Sequence, residues 1–151
     1  MKNKNTFHVK FRAVQKDDLL ELYYLLNQLS VKDIDSIDKV KSWNDFKSNN
    51  SSNSIVGVCK DKHGKSKIIA YGSILIENKI RGEKAGYIED VVVHTDARCK
   101  DVGTQLVENL IKIAKLNECY RISLFCKEDL KGFYEKNGFE VNNIIMKKWI
   151  T

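Results

Sequence analysis

Residues 85–126 limit the possible folds of this chain more than any other stretch, because they read as strand, helix and strand with one short basic loop between the first two. Ala85 to Val93 ends in the run Val91-Val92-Val93, and such continuous apolar character marks a strand buried on both faces, hence a central one. Val102 to Leu116 sets Leu106, Val107, Leu110, Ile111 and Ala114 on one stripe, the pattern of an amphipathic helix. Tyr120 to Cys126 alternates Ile122 and Leu124 with polar neighbours and reads as a strand. Strands that alternate with helices in this way require at least one parallel β-α-β crossover.

The remaining elements fit around that unit. Phe7, Val9 and Phe11 alternate with polar residues as a first strand would. Asp18 and Glu21 have capping-box spacing ahead of the apolar positions Leu22, Leu25, Leu26 and Leu29. A loop over residues 30–36 and a short helix over residues 37–47 follow. Ile55, Val56 and Val58 lead through the turn Lys62-His63-Gly64-Lys65 to a return strand containing Ile68, Ile69, Tyr71, Ile74 and Ile76. Asn78 to Gly82 is a second turn. Leu130 to Asn137 reads as a short helix capped by Gly138, and Phe139 to Ile150 is expected to hold a last strand. The 151 residues suit one domain, spanning residues 1–151.

Charge narrows the partners. A net charge of +6 makes an anionic partner plausible. A nucleic-acid module would interleave aromatic and basic residues on one face or show a binding motif, and neither is present. No segment reaches the roughly 20 apolar residues of a membrane span. The polar N-terminus is not a secretory signal. Cys59, Cys99, Cys119 and Cys126 lack CxxC spacing, and His8, His63 and His94 complete no metal signature, so no metal is expected and reduced cytoplasmic thiols are.

The chemistry concentrates between Tyr87 and Thr104. A buried strand opens through Arg98-Cys99-Lys100-Asp101-Val102-Gly103 onto a helix. A helix start presents unpaired N–H groups and partial positive charge, Arg98 and Lys100 add full charges, and Gly103 allows close approach. Such a turn suits a pyrophosphate.

This arrangement, with Phe133-Tyr134-Glu135-Lys136-Asn137-Gly138-Phe139, resembles the GNAT superfamily of N-acetyltransferases. Arg98 and Gly103 match the ends of its Arg-x-x-Gly-x-Gly/Ala-type loop, while Cys99 and Asp101 replace frequent glycines. Ile88-Glu89-Asp90-Val91-Val92-Val93, Cys119-Tyr120-Arg121-Ile122, Phe11-Arg12 and Leu29-Ser30 resemble the glucosamine 6-phosphate N-acetyltransferase family within it.

The resemblance implies a mixed α/β (α+β) fold, with a twisted, mostly antiparallel sheet flanked by helices. It implies acetyl-CoA as cosubstrate and a phosphorylated amino sugar as acceptor. Val91, Val92 and Val93 would offer backbone groups to the pantetheine. Arg98, Cys99, Lys100, Asp101, Val102, Gly103, Thr104 and Lys136 would hold the coenzyme. Glu89 and Asp90, on opposite sides of a regular strand, would meet the amine. Tyr134 would donate to the leaving sulfur. Lys79, Arg81 and Lys148 would meet the phosphate, Ser30 the sugar. Phe125 stands where the family commonly has an acidic residue. A homodimer with an exchanged last strand is also implied. The rival readings are transfer to another amine, such as a polyamine or a protein N-terminus, and a catalytically silent acetyl-CoA binder.

Overall fold

The computed structural model describes residues 8–98 and 101–150. Its order is β1 (Lys10–Ala13), α1 (Leu19–Leu26), α2 (Lys39–Ser48), β2 (Ser52–Lys60), β3 (Ser66–Asn78), β4 (Lys84–Val93), α3 (Val102–Leu116), β5 (Cys119–Ser123) and α4 (Lys131–Lys136). The five strands form one sheet in sequence order; the first three pairings are antiparallel and β4 runs parallel to β5. The mixed α/β class and the crossover through α3 are as expected. Gly64 and Gly82 take positive φ at the two hairpin turns, 76° and 92°, where a side chain would be strained.

The sheet buries both faces. On one, α3 lays Leu106, Leu110 and Ala114 over Ala70, Ile74 and Ile88. Gly72 makes that approach possible, because a Cβ there would sit 2.9 Å from Leu110 Cδ1. On the other, Leu22 and Leu25 of α1, with Trp43 and Phe46 of α2, cover Val56, Ile68, Tyr71 and Val92.

Three expectations need correction. The capping box lies one turn earlier than Asp18/Glu21: the Gln15 N–H donates to Asp18 Oδ2 at 2.7 Å, and Glu21 instead accepts from the Ile68 N–H at 2.6 Å. Glu21 is thus spent tying α1 to β3. The helix ends at Leu26 rather than Leu29. Residues 139–150 form no strand; Ile144 is 91% and Trp149 81% exposed, and no β-ladder partner is present among the described residues. A strand needs a neighbour to satisfy its backbone, and among the described residues this segment has none.

Asp18 is nearly buried and anchors the start of α1 to β1. Arg12 donates to it from two guanidinium nitrogens, at 2.7 and 2.8 Å. Burial pushes the Asp18 carboxyl up, but the Arg12 and Gln15 donors outweigh it and hold the group below its usual range. Arg12→Ala is expected to lower unfolding free energy by about 2 kcal/mol near neutral pH. A depressed carboxylate stabilises above its unfolded pKa and ceases to do so as acid protonates it in the fold. Urea titrations should therefore show the gap between parent and Arg12→Ala closing below about pH 4.

Candidate active site

The site begins with one extra residue. Tyr71 and Ser73 of β3 stand opposite Val92 and Glu89 of β4, so β4 spends one residue more than its partner. Asp90 carries the irregularity at φ 53°, in the left-handed region that Asp tolerates better than most residues. The bulge reverses the alternation. Ile88 and Val93 both pack on the α3 side, and Glu89 shares the opposite side with Val92. A regular strand would have placed Glu89 and Val92 on different faces. The regular alternation from which opposite facing of Glu89 and Asp90 was expected is thus interrupted at Asp90 itself. Both carboxylates are exposed.

Beyond this point β4 loses its other neighbour. Pairing with β5 ends at Tyr87↔Ser123, whereas β4 continues to Val93. From Val91 to Val93 the β5-side edge of β4 therefore has no ladder partner among the described residues. Val92 is buried, with Val91 and Val93 half-buried against the α3 core.

The start of α3 lies against the end of β4, where a Cβ on Gly103 would be 3.8 Å from Val93 Cγ2. Asp101 is its N-cap at φ 63° and makes no side-chain cap. The first helical bond recorded beyond it runs from the Gln105 N–H to the Asp101 carbonyl, at 3.1 Å. The preceding N–H groups of Val102, Gly103 and Thr104 have no intrahelical acceptor and face outward along the axis. Arg98 is exposed just upstream. Cys99 and Lys100 lie outside the described residues. A helix start without a side-chain cap beside an exposed cation fits a pyrophosphate, and the β4 edge past its last pairing with β5 fits an extended amide chain.

Gly103 knits three elements together. A Cβ there would lie 3.2 Å from Phe133 Cζ and 3.8 Å from Val93 Cγ2. Phe133 thus brings α4 onto the start of α3, and Tyr134 follows it. Tyr134 is 8% exposed and packs edge-on against Phe133 and Phe139, with centroids at 5.0 and 5.8 Å. Gly138, at φ 87°, ends α4 and lets the Phe139 N–H reach the Tyr134 carbonyl at 3.1 Å. Burial pushes the Tyr134 phenol up, with the nearby Cys126 adding to it. The hydroxyl therefore stays a proton donor through physiological pH. Burial likewise raises the Cys119 thiol, which argues against an activated nucleophile there.

Other predicted residues stand apart. Lys79 pairs with Glu77 at 2.6 Å and Arg81 with Glu83 at 3.9 Å, both around the β3–β4 turn at the far end of β4 from the bulge. Lys136 is exposed at the end of α4, Ser30 follows α1, and Lys148 lies in the unpaired C-terminal segment. Phe125 is 58% exposed, with Lys147 Nζ 5.9 Å from its ring centre.

The structure also shows residues the sequence reading did not single out as site candidates. Tyr71 donates to Ser54 at 3.2 Å, Ser54 to Ser73 at 2.9 Å, and Ser73 stands opposite Glu89. The charge of Asp90 reaches Tyr71. Ser54 and Ser73 interrupt otherwise apolar strands, and that interruption was the available signal. Arg121 lies 5.6 Å from the Tyr87 ring centre and donates to Ser123 at 2.6 Å.

A five-stranded mixed sheet whose one parallel pair, β4 and β5, is joined through α3 is the fold of one class of protein. The profile described as "Acetyltransferase (GNAT) family" matches residues 17–139, and the chain belongs to that family. It is 32% identical over 145 residues to glucosamine 6-phosphate N-acetyltransferase 1 of Dictyostelium discoideum, covering 94% of this chain and 91% of that protein. It is 44% identical over 85 residues to glucosamine 6-phosphate N-acetyltransferase of Arabidopsis thaliana, a match that spans 55% of this chain and about half, 57%, of that relative. The crystal structure of the glucosamine-6-phosphate N-acetyltransferase from Arabidopsis thaliana superposes with a TM-score of 0.83 at 32% identity, covering 95% of this chain and 99% of that one. A predicted acetyltransferase from Clostridium acetobutylicum, solved with acetyl-CoA, shares the fold with a TM-score of 0.70 at 17% identity.

The bulge gives a direct test. Asp90→Gly removes the left-handed strain, worth about 1 kcal/mol, together with the carboxylate. Thermal unfolding should show stability equal to or above the parent, while acetyl transfer falls at least about tenfold. Loss of stability with full activity would assign Asp90 a purely structural part.

Proposed function

We propose that this chain, as one acetyltransferase domain over residues 1–151, transfers the acetyl group of acetyl-CoA to the amine of D-glucosamine 6-phosphate. The products are N-acetyl-D-glucosamine 6-phosphate and CoA. The observation that carries the reading is the bulge at Asp90, which joins two exposed carboxylates to a strand edge aimed at an uncapped helix start. The near full-length similarity to the Dictyostelium relative supports the choice of acceptor.

The residues divide the work. The N–H groups of Val102, Gly103 and Thr104, with Arg98 and the loop residues Cys99, Lys100 and Asp101, receive the pyrophosphate. Val91 to Val93 hold the pantetheine as an added strand, and Lys136 adds charge. A backbone N–H of this wall polarises the thioester carbonyl. Glu89 and Asp90 accept the proton that the amine sheds, directly or through water. The amine nitrogen bonds to the carbonyl carbon, the C–S bond breaks, and the Tyr134 hydroxyl protonates the departing sulfur. The proton taken up by the carboxylate returns through solvent to the Tyr134 oxygen, so that one proton passes in net from nitrogen to sulfur. Ser30 contacts the sugar, and Lys79, Arg81 and Lys148 supply cations for its phosphate; for Lys79 and Arg81 this requires exchange of their present carboxylate partners.

The same reading supplies a partner for residues 139–150. Val141, Ile144, Ile145, Met146, Trp149 and Ile150 are exposed together, more apolar surface than a monomer ordinarily leaves in one segment. Exchange of this segment across a homodimer buries it and brings Lys148 to the neighbour's site. No described helix is long and apolar enough to cross a membrane; we place the reaction in the cytoplasm, feeding UDP-N-acetylglucosamine synthesis.

Two measurements check the reading. With acetyl-CoA and a panel of amines, thiol release should be rapid for glucosamine 6-phosphate and slow for polyamines and peptide N-termini; the reverse order would replace the acceptor. Tyr134→Phe should lower kcat by about 10²–10⁴ and leave CoA affinity nearly unchanged by calorimetry. An unchanged kcat removes Tyr134 from the transfer step.

A further inference from the structure

Two neighbouring carboxamides after α1 do different jobs. Asn27 closes its own loop: its Oδ1 accepts from the Lys32 N–H at 3.0 Å and its Nδ2 donates to the Lys32 carbonyl at 3.3 Å. Residues 27–32, with Ser30 among them, are thereby held as a unit, and the Ser30 N–H reaches back to the Leu26 carbonyl at 3.2 Å. Gln28 reaches outward. Its Nε2 donates to the Val93 carbonyl at 3.0 Å, and its Oε1 accepts from the Thr95 N–H at 3.3 Å.

Those two backbone groups are a particular pair. The His94 N–H between them donates to Ile69 of β3 at 2.7 Å. Neighbouring residues of an extended chain turn their groups to opposite edges. The Val93 carbonyl and the Thr95 N–H therefore face the edge past the end of the β5 ladder, at the far end of the wall assigned above to the pantetheine. Gln28 takes these two groups and leaves those of Val91 and the Val93 N–H to the coenzyme. The Gln28 amide bonds to this edge as a peptide unit of an added strand would. Gln28 is itself exposed, so nothing packs the side chain into this place except its two hydrogen bonds.

We propose that Gln28 is a positioning residue that couples the Ser30 loop to the coenzyme strand, so that coenzyme and acceptor each tighten the binding of the other. The inference rests on the transferase reading above. A ligand that orders the end of β4 favours the Gln28 bonds, and with them the loop that carries Ser30. Linkage makes the effect reciprocal. Neither the Asn27 staple nor the α1 packing with β3 depends on Gln28, so its loss should leave the fold intact.

The test uses CoA, whose free thiol cannot acetylate, and glucosamine 6-phosphate. In the parent, saturating glucosamine 6-phosphate should lower the calorimetric Kd for CoA at least about fivefold. Gln28→Met keeps length and helix propensity and removes both hydrogen bonds. It should cut the coupling to less than about twofold, with the melting temperature and the Kd for CoA alone near the parent's. Gln28→Glu, which sets an acceptor against the Val93 carbonyl, should do the same. A parent without coupling, or a Gln28→Met protein that keeps it, overturns the inference while leaving the transferase reading in place. A parent that fails to acetylate glucosamine 6-phosphate removes the reading, and this inference with it.

Discussion

A single surplus residue in β4 decides which side of the sheet the end of the central strand faces. An antiparallel ladder repeats every two residues, so one extra residue reverses which face each later side chain occupies. At Asp90 this reversal puts Val92 under α1 and α2 and turns Val91 and Val93 toward α3. It coincides with the point where β4 parts from β5. Past that point the edge of β4 that β5 had paired has no ladder partner among the described residues. The fold accepts a left-handed aspartate at that point, and Gly72, opposite the irregularity, lets α3 settle close to the sheet.

The second constraint is at the other end of the loop. Most helices satisfy their first N–H groups with a side chain from the N-cap. Here Asp101 takes a left-handed conformation and does not cap. Two sparsely populated backbone conformations, at Asp90 and Asp101, thus frame the ten residues between them. Residues held so tend to cluster at functional sites, and between them lie the strand end, Arg98 and the turn. Phe133 against Gly103 brings α4 onto the start of α3, and the buried Tyr134 ring packs edge-on between Phe133 and Phe139.

Much of this was legible in the sequence. The span of α3 follows from its apolar stripe, and the hairpins follow from their glycines. Arg98 to Thr104 and Glu89-Asp90 drew attention through residue type and spacing. The bulge was not legible, because Glu-Asp-Val-Val-Val reads equally well as a regular strand; only the partner's register shows the extra residue. The capping box was misplaced because Asp18 and Glu21 have the right spacing, while tertiary partners, Arg12 and the Ile68 N–H, claim both carboxylates. The last strand was expected from apolar content alone, yet a strand exists only with a neighbour, and periodicity says nothing about whether that neighbour is in the same chain. Gln28 escaped notice because a lone exposed glutamine carries no pattern.

The central claim is that the start of α3 and the free edge of β4 together receive a coenzyme. Two-dimensional amide spectra recorded while CoA is added test it most directly. The account predicts that the largest shifts fall on Val102, Gly103 and Thr104 and on the backbone of Val91 to Val93, saturating together. Shifts absent from these groups, or gathered on another face of the sheet, would contradict it.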